Sequence, residues 1–374
     1  MISIKGRIGR FMMRVFALFP LQKKVVFSSF DGNNYGDNPK AVFEKLQDIH
    51  ATARIIWLLY DDRKVIEGAN VVKAYSIKAL YHQATAKVWV FNSRQREWMV
   101  KRKGQTYIQT WHGNIAMKKI EKDALDRLPE YYVKEAKHDS EMADFFISGS
   151  GWSSENYKSA FWYDGEILEV GIPRSDVFYG DLSIIKNKVF SHYKLEKDAK
   201  MALYAPTFRN NSKNTYSLNY QQLKKALEDK WPGKWHIVVR LHPNIQREQS
   251  SYLFDEGLLN GSTYPDINEL IISSEIVITD YSSCMFDALE AKRKVLLYVP
   301  DLDEYTNEER GTYFTVDELP FLYATNNGEL SNAILEFNEK IYKEKGRAFL
   351  EKCVIYNNGT AASQIAEIVN RILQ

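Results

Sequence analysis

Short runs of β-branched and aromatic residues alternate along this chain with stretches whose apolar positions recur every three or four residues. Lys24–Ser29 (KVVFSS) has no room for a helical period and predicts a buried strand. It leads through a glycine- and Asx-rich loop, Phe30–Pro39, into a helix expected over Lys40–Asp48. Arg54–Tyr60, Val71–Ala74, Lys87–Asn92, Tyr107–Thr110 and Phe145–Ile147 repeat the strand signature, with a helix expected around Ser76–Ala84. Glu169–Val170 reads as a strand end followed by a turn, Gly171–Asp176, and the lysine-rich Ser183–Lys200 as a helix plus linker.

A second set begins at Met201–Tyr204, with a helix at about Tyr220–Asp229, a strand at Trp235–Val239 and a short helix at Ile267–Ile272. The strongest local pattern follows. Ile276–Ile278 is strand, Asp280-Tyr281-Ser282-Ser283 offers helix-capping side chains, Met285, Phe286 and Leu289 keep helical spacing, and Val295–Val299 is strand again before Pro300. From Leu330 to Gln374 two helices are expected, and Ala361–Leu373 could cross back onto the first domain.

Alternation of strand and helix predicts parallel, doubly wound sheets. A length of 374 residues accommodates two domains, drawn at 25–182 and 183–374. With 45% hydrophobic and 26% charged residues the chain is globular, and a net charge of +2 gives no field for nucleic acid. Two distant cysteines, Cys284 and Cys353, make neither a disulfide framework nor a metal motif.

Residues 1–24 stand apart. They contain no Asp or Glu but six basic residues, Lys5, Arg7, Arg10, Arg14, Lys23 and Lys24. Ile4, Ile8, Phe11, Met12, Val15, Phe16 and Phe19 fall on one helical face, the pattern of a helix lying in an anionic membrane interface. The segment is too short and too charged to span a bilayer. The competing reading is a helix packed on the protein's own body.

In a doubly wound sheet the strands' carboxyl ends share one edge, where ligands bind. His112 and Gly113 follow one strand of the first set. In the second set Thr207, Arg209, Arg240, His242, Asp280, Ser282 and Ser283 all follow strands. Arginines, a histidine and a helix N-terminus suit a diphosphate whose bond to phosphorus must break. A histidine near neutral pKa on the other domain suits a general base.

These residues carry a resemblance. WHG at 111–113, YAPTFR at 204–209, RLHP at 240–243, TDYSS at 279–283 with FD at 286–287, and DLDEY at 301–305 resemble the CDP-glycerol glycerophosphotransferase family, the teichoic acid primases and polymerases and related capsule enzymes. GIPRSD at 171–176 and SFDGNNYGDNP at 29–39 resemble two further family segments. The resemblance implies two Rossmann-like domains facing a cleft in the GT-B arrangement, and transfer of glycerol phosphate from CDP-glycerol with release of CMP. It implies His112 as base, His242 on the donor's phosphates, and Thr207, Arg209, Ser282, Ser283 and Asp287 on donor-binding positions. The expected partners are CDP-glycerol, an acceptor linked to a lipid of the undecaprenyl diphosphate type, and the cytoplasmic face of an anionic membrane.

After WHG, Asn114-Ile115-Ala116-Met117 departs from the family's common Thr-Pro-Leu, which leaves acceptor identity and product length open. A CDP-ribitol donor, a UDP-sugar-dependent GT-B enzyme and an inactive scaffold subunit are the rival readings. A divalent cation is the one cofactor left open. Asp61-Asp62 and Asp301-Leu-Asp303 are acidic pairs, but solvated loop carboxylates are the simpler account.

Overall fold

The computed structural model describes residues 2–49, 52–207, 218–241, 257–302, 304 and 311–374. The first half builds a parallel sheet from β1 (Gln22–Ser28), β2 (Arg54–Leu59), β3 (Asn70–Lys73), β4 (Ala86–Phe91), β5 (Thr106–Gln109), β6 (Phe145–Ile147) and β7 (Glu166–Leu168). Its strand order is β3-β2-β1-β4-β5-β6-β7. The second half builds another from β8 (Lys200–Ala205), β9 (Trp235–Val239), β10 (Leu258–Asn260), β11 (Ile276–Thr279), β12 (Lys294–Tyr298) and β13 (Leu322–Ala324). Its order is β10-β9-β8-β11-β12-β13, again all parallel.

Helices α1 (Ile4–Phe16), α2 (Asp37–Asp48), α3 (Ile77–Thr85), α4 (Glu130–Met142) and α5 (Gly151–Ala160) accompany the first sheet. Helices α6 (Leu182–Tyr193), α7 (Tyr220–Lys230), α8 (Ile267–Ser273), α9 (Cys284–Glu290), α10 (Asn327–Leu335) and α11 (Glu339–Cys353) accompany the second, and α12 (Ala361–Leu373) ends the chain. The region after residue 326 thus holds three helices rather than the expected two. Asn326 and Asn338 each cap a helix N-terminus and divide the first stretch.

Both faces of the first sheet are covered, which is why its strands read as unbroken apolar runs. Val25 and Phe27 of β1 pack with Val42, Phe43 and Leu46 of α2. Val26 points the other way, to a core shared with Leu80 of α3 and Met13 of α1. Lys24 is buried with them at 1% exposure, its Nζ 2.5 Å from Thr85 Oγ1 and 3.4 Å from His82 Nδ1.

The chain divides into two compact units. One is Met1–Asn114, Ile120–Asp176 and Ile355–Gln374; the other is Ile115–Lys119 and Val177–Val354. The boundary drawn at residue 183 put the C-terminal segment with the second domain while its helical spacing allowed a return, and the structure places it in the first. The reason is apolar: Ile365, Ala366, Val369 and Leu373 of α12 complete the core over Val42, Phe43 and Leu46. Asp176 secures the helix start, its two carboxylate oxygens accepting Ala361 N at 3.0 Å and Ala362 N at 2.7 Å. Gly171, at φ 98°, approaches the same segment so closely that a Cβ would lie 2.7 Å from Asn357 Oδ1.

In each sheet the strand order reverses once, between β1 and β4 in the first and between β8 and β11 in the second. Loops diverge at such a point and leave a crevice beyond the carboxyl ends of the strands. Among the described residues, His112 follows β5 beside β4, and Thr207 and Asp280 follow β8 and β11.

Candidate active site

In the first unit, β5 ends at Gln109 and the chain turns sharply through Thr110 and Trp111. The left-handed residue of this turn is Trp111, at φ 51°. Gly113 has no positive φ and a Cβ there would meet open space, so the left-handed position is Trp111, two residues before the glycine. Several groups hold the Trp111 backbone. Gln109 Oε1 accepts Trp111 N at 3.0 Å, and Asn38 Nδ2 donates to the carbonyls of Thr110 and Trp111 at 3.1 and 3.0 Å.

The ring of Trp111 rests on a buried guanidinium, that of Arg94, 5.3 Å away, with Phe146 and Phe161 on the same group at 5.2 and 4.6 Å. Arg94 binds Glu121 through two hydrogen bonds of 2.8 and 2.7 Å and Asp139 through one of 2.9 Å. Burial alone would lower its pKa, but the two carboxylates hold it well above the ordinary arginine value. A buried charge is tolerated only when so paired. Arg94, Glu121 and Asp139 were not among the expected site residues. They lie far apart in sequence, and charges on a loop or a helix face read as solvated until folding buries them.

His112 sits above this platform, exposed on one side and flanked by Trp111 and Phe30, whose ring centroids are 4.3 and 6.0 Å from its own. Its Nδ1 lies 3.0 Å from the carbonyl oxygen of Asn92. A carbonyl only accepts, so Nδ1 carries the proton and Nε2 carries the lone pair. The protein crowded around the ring disfavours the imidazolium and lowers its pKa. The Asn92 carbonyl and Asp37 oppose that shift, while Arg174 and Arg94 reinforce it. The open side of the residue admits water and moderates the depression. The imidazole is therefore neutral at neutral pH, the state a proton acceptor needs.

In the second unit the loops after β8 and β11 are tied together by Asp280. It is buried, and its two carboxylate oxygens accept Thr207 N at 3.0 and 2.9 Å. Thr279 Oγ1 adds a bond to Ala205 O at 2.7 Å. Asp280 thus clamps the backbone at Thr207 instead of capping the helix that follows. That helix, α9, has Ser283 at its N-cap without a side-chain bond, and Ser282 Oγ accepts Cys284 N only at 3.4 Å. The capping expected of these serines is weak because the turn enters the helix in an already helical conformation, with Ser283 at φ −60° and ψ −12°. Asp287 lies on the buried face of α9. Arg240 Nη1 donates to the carbonyls of Gly261 and Tyr264 at 3.0 and 2.5 Å, which fastens the loop after β10. Arg209 and His242 lie outside the described residues.

Among the described residues no group of three or more His, Cys, Asp or Glu side chains is arranged to hold a metal ion. Asp61 pairs on the surface with Arg63 at 2.7 Å, both well exposed, as a solvated loop carboxylate would.

The model of the CDP-glycerol:poly(glycerophosphate) glycerophosphotransferase family matches residues 11–371. The chain belongs to this family. A teichoic acid poly(glycerol phosphate) polymerase of Bacillus spizizenii is 30% identical over 388 residues, covering 98% of this chain and 96% of the relative. A teichoic acid glycerol-phosphate transferase of Staphylococcus aureus is 30% identical over 378 residues, covering 95% of each. The chain spans only half of another relative, the Staphylococcus epidermidis poly(glycerol phosphate) polymerase, at 32% identity. Among solved structures, the wall teichoic acid polymerase TagF superposes with a TM-score of 0.85 at 30% identity, covering 98% of this chain and 94% of that one. A variant of that polymerase soaked with CDPG gives 0.86. A UDP-GlcNAc 2-epimerase of Neisseria meningitidis gives 0.55 at 12% identity, a likeness of fold alone. As a member of the glycerophosphotransferase family, this chain is a transferase of glycerol phosphate from CDP-glycerol in teichoic acid synthesis.

Proposed function

We propose that this glycerophosphotransferase extends a lipid-linked acceptor at an anionic membrane surface, with His112 as the base that activates the acceptor hydroxyl. The observation carrying this reading is the fixed tautomer of His112: Nδ1–H is held by the Asn92 carbonyl, and Nε2 is left as the proton acceptor. As the acceptor O–H bond breaks, its proton passes to Nε2 and the oxygen attacks the phosphorus of the glycerol phosphate. The bond between the two phosphates of the donor breaks, and CMP leaves with the electron pair. The loops at Thr207 and Ser282–Ser283 are assigned to the donor, together with Arg209 and His242.

Helix α1 supports the surface reading. One side, Gly6, Gly9 and Met13, is buried, with Trp98 against both glycines. The other presents Ile4, Ile8, Phe11, Val15 and, just beyond the helix, Leu18 to solvent. The helix thus docks on the body, as the competing reading had it, and its outer apolar strip supports contact with a membrane surface. Among the described residues no helix is long and apolar enough to cross a membrane.

Glycerol rather than ribitol is favoured because the poly(glycerol phosphate) polymerases and a glycerol-phosphate transferase are 29–32% identical, against 25–27% for the ribitol-phosphate enzymes and 25% for the glycerol-phosphate primases. Incubation with CDP-glycerol, CDP-ribitol and UDP-sugars, each with a glycerol-phosphate acceptor, tests the reading. CMP release from CDP-glycerol is expected; release of UDP from a sugar donor overturns it.

A further inference from the structure

The loop Phe30–Pro39 and the turn Gly171–Asp176 have no role in the chemistry described so far, yet they meet behind His112. Asp37, the first residue of α2, has both carboxylate oxygens engaged. Oδ1 accepts Asn92 Nδ2 at 3.1 Å and Asn38 N at 2.8 Å, and Oδ2 accepts Arg174 Nη1 at 3.0 Å. Asn92 is the residue whose carbonyl receives the His112 Nδ1 proton. Its side chain is locked a second time, since Oδ1 accepts Phe30 N at 2.7 Å. Asn38 is fully buried and spans the same strip. It donates to the Thr110 and Trp111 carbonyls and accepts Arg174 N at 3.1 Å.

These bonds separate two tasks. Asn38 stitches the left-handed Trp111 turn to the Arg174 turn and so aims the ring that follows. Asp37 holds the side chain of Asn92, the residue whose carbonyl orients His112, and places a negative charge behind the ring, with Arg174 as its counter-charge. We infer that Asp37 and Asn38 are positioning residues for the base: Asp37 balances the charge of the imidazolium formed when His112 takes the acceptor proton, and Asn38 fixes the turn that points the ring. This rests on His112 being the base.

The charged groups facing His112 are Asp37 from α2, Arg174 from the turn after β7 and Arg94 from the loop after β4. Glu121 and Asp139 neutralise Arg94, and the neighbouring rings are those of Phe30 and Trp111. The two partners of the Asp37–Arg174 pair must therefore act with opposite sign. Asp37→Asn removes the charge that favours the imidazolium, so the His112 pKa falls. Arg174→Gln removes the charge that disfavours it, so the pKa rises.

The test reads His112 itself by ¹⁵N and ¹³C NMR of its imidazole, assigned with a His112→Gln spectrum, alongside the pH profile of kcat/KM. In the unmodified protein the neutral ring shows the Nδ1–H tautomer. In Asp37→Asn the His112 pKa and the acid limb both move down, and kcat falls on the order of tenfold because the base is weaker. In Arg174→Gln both move up. Asn38→Ala lowers kcat by a similar factor with the acid limb unmoved, since no charge is altered.

An Nε2–H tautomer in the unmodified protein, or pKa shifts of the same sign in both charge variants, overturns the inference. Opposite shifts by NMR with an acid limb that ignores them show instead that His112 is not the base, and the mechanism above falls with the inference. Should Asp37→Asn fail to fold, the tautomer and the Arg174→Gln shift decide alone.

Discussion

A neutral imidazole whose Nδ1–H is engaged by a carbonyl keeps the lone pair of Nε2 open to accept a proton. His112→Ala is expected to lower turnover by roughly 10²–10⁴ while leaving CDP-glycerol affinity nearly unchanged. Steady-state kinetics with calorimetric titration of the donor check both halves. A variant keeping most of its turnover would make His112 structural. Lys24 illustrates the opposite use of burial. Burial, aided by Arg54, lowers its pKa from 10.5 to about 8. Between those two values the unfolded chain holds a proton that the folded chain has released, so stability rises as pH climbs through that window. The whole rise amounts to about 3 kcal/mol at most. Lys24→Met should abolish it and raise the melting temperature at pH 7, because no charge then needs burying. Thermal unfolding at pH 7, 8.5 and 10 measures this, and an unchanged pH slope in the variant would refute it.

At the scale of elements, α1 is divided between two environments. Gly6 and Gly9 let it lie against Trp98, where a Cβ at Gly9 would come within 2.7 Å of the ring. Arg10 fastens it further, donating to the carbonyls of Glu97 and Trp98 at 2.6 and 3.4 Å. The docked side therefore belongs to stability, and the outer strip is the part proposed to meet a membrane. Ile8→Ser combined with Phe11→Ser should leave the melting temperature nearly unchanged, since both residues are exposed at 55% and 66%. Binding to anionic vesicles should fall at least about tenfold, as each large apolar side chain contributes roughly 1.5–3 kcal/mol when fully buried. Co-sedimentation at two salt concentrations is the assay. Undiminished binding by the double variant would move membrane contact to another surface.

For the whole molecule, the C-terminal segment determines how the first unit is completed. Removing residues 355–374 strips the α12 side chains from the core over β1, β2 and α2 and leaves the Asp176 carboxylate without the two backbone donors it serves. Calorimetry on the truncated chain should show the first unit melting earlier or not folding, with the transition of the second unit retained. A truncated protein whose melting profile matched the full chain would refute this. Asp176→Ala, which removes only the helix cap, should cost about 0.5–2 kcal/mol.

What the sequence determined by itself was local. Short β-branched runs alternating with stretches of helical spacing pointed to parallel strands with crossover helices, so two doubly wound sheets were legible, as were the motifs at their carboxyl ends. Strand periodicity and capping chemistry act over a few residues and need no partner to be read. Folding alone decided which distant residues became partners. The Phe30–Pro39 and Gly171–Asp176 segments were visible as motifs, but their use emerged only when Asp37, Asn38 and Arg174 met behind His112. Arg94, Glu121 and Asp139 showed no signal, because a charge on a loop or a helix face is indistinguishable from a solvated one until its partners are packed around it. The docking of α12 on the first unit, which its helical spacing allowed but could not fix, and the one-sided burial of α1 are of the same kind. Each depends on an apolar face finding a complementary surface far away in the chain, and hydrophobic burial rewards area removed from water without regard to sequence separation.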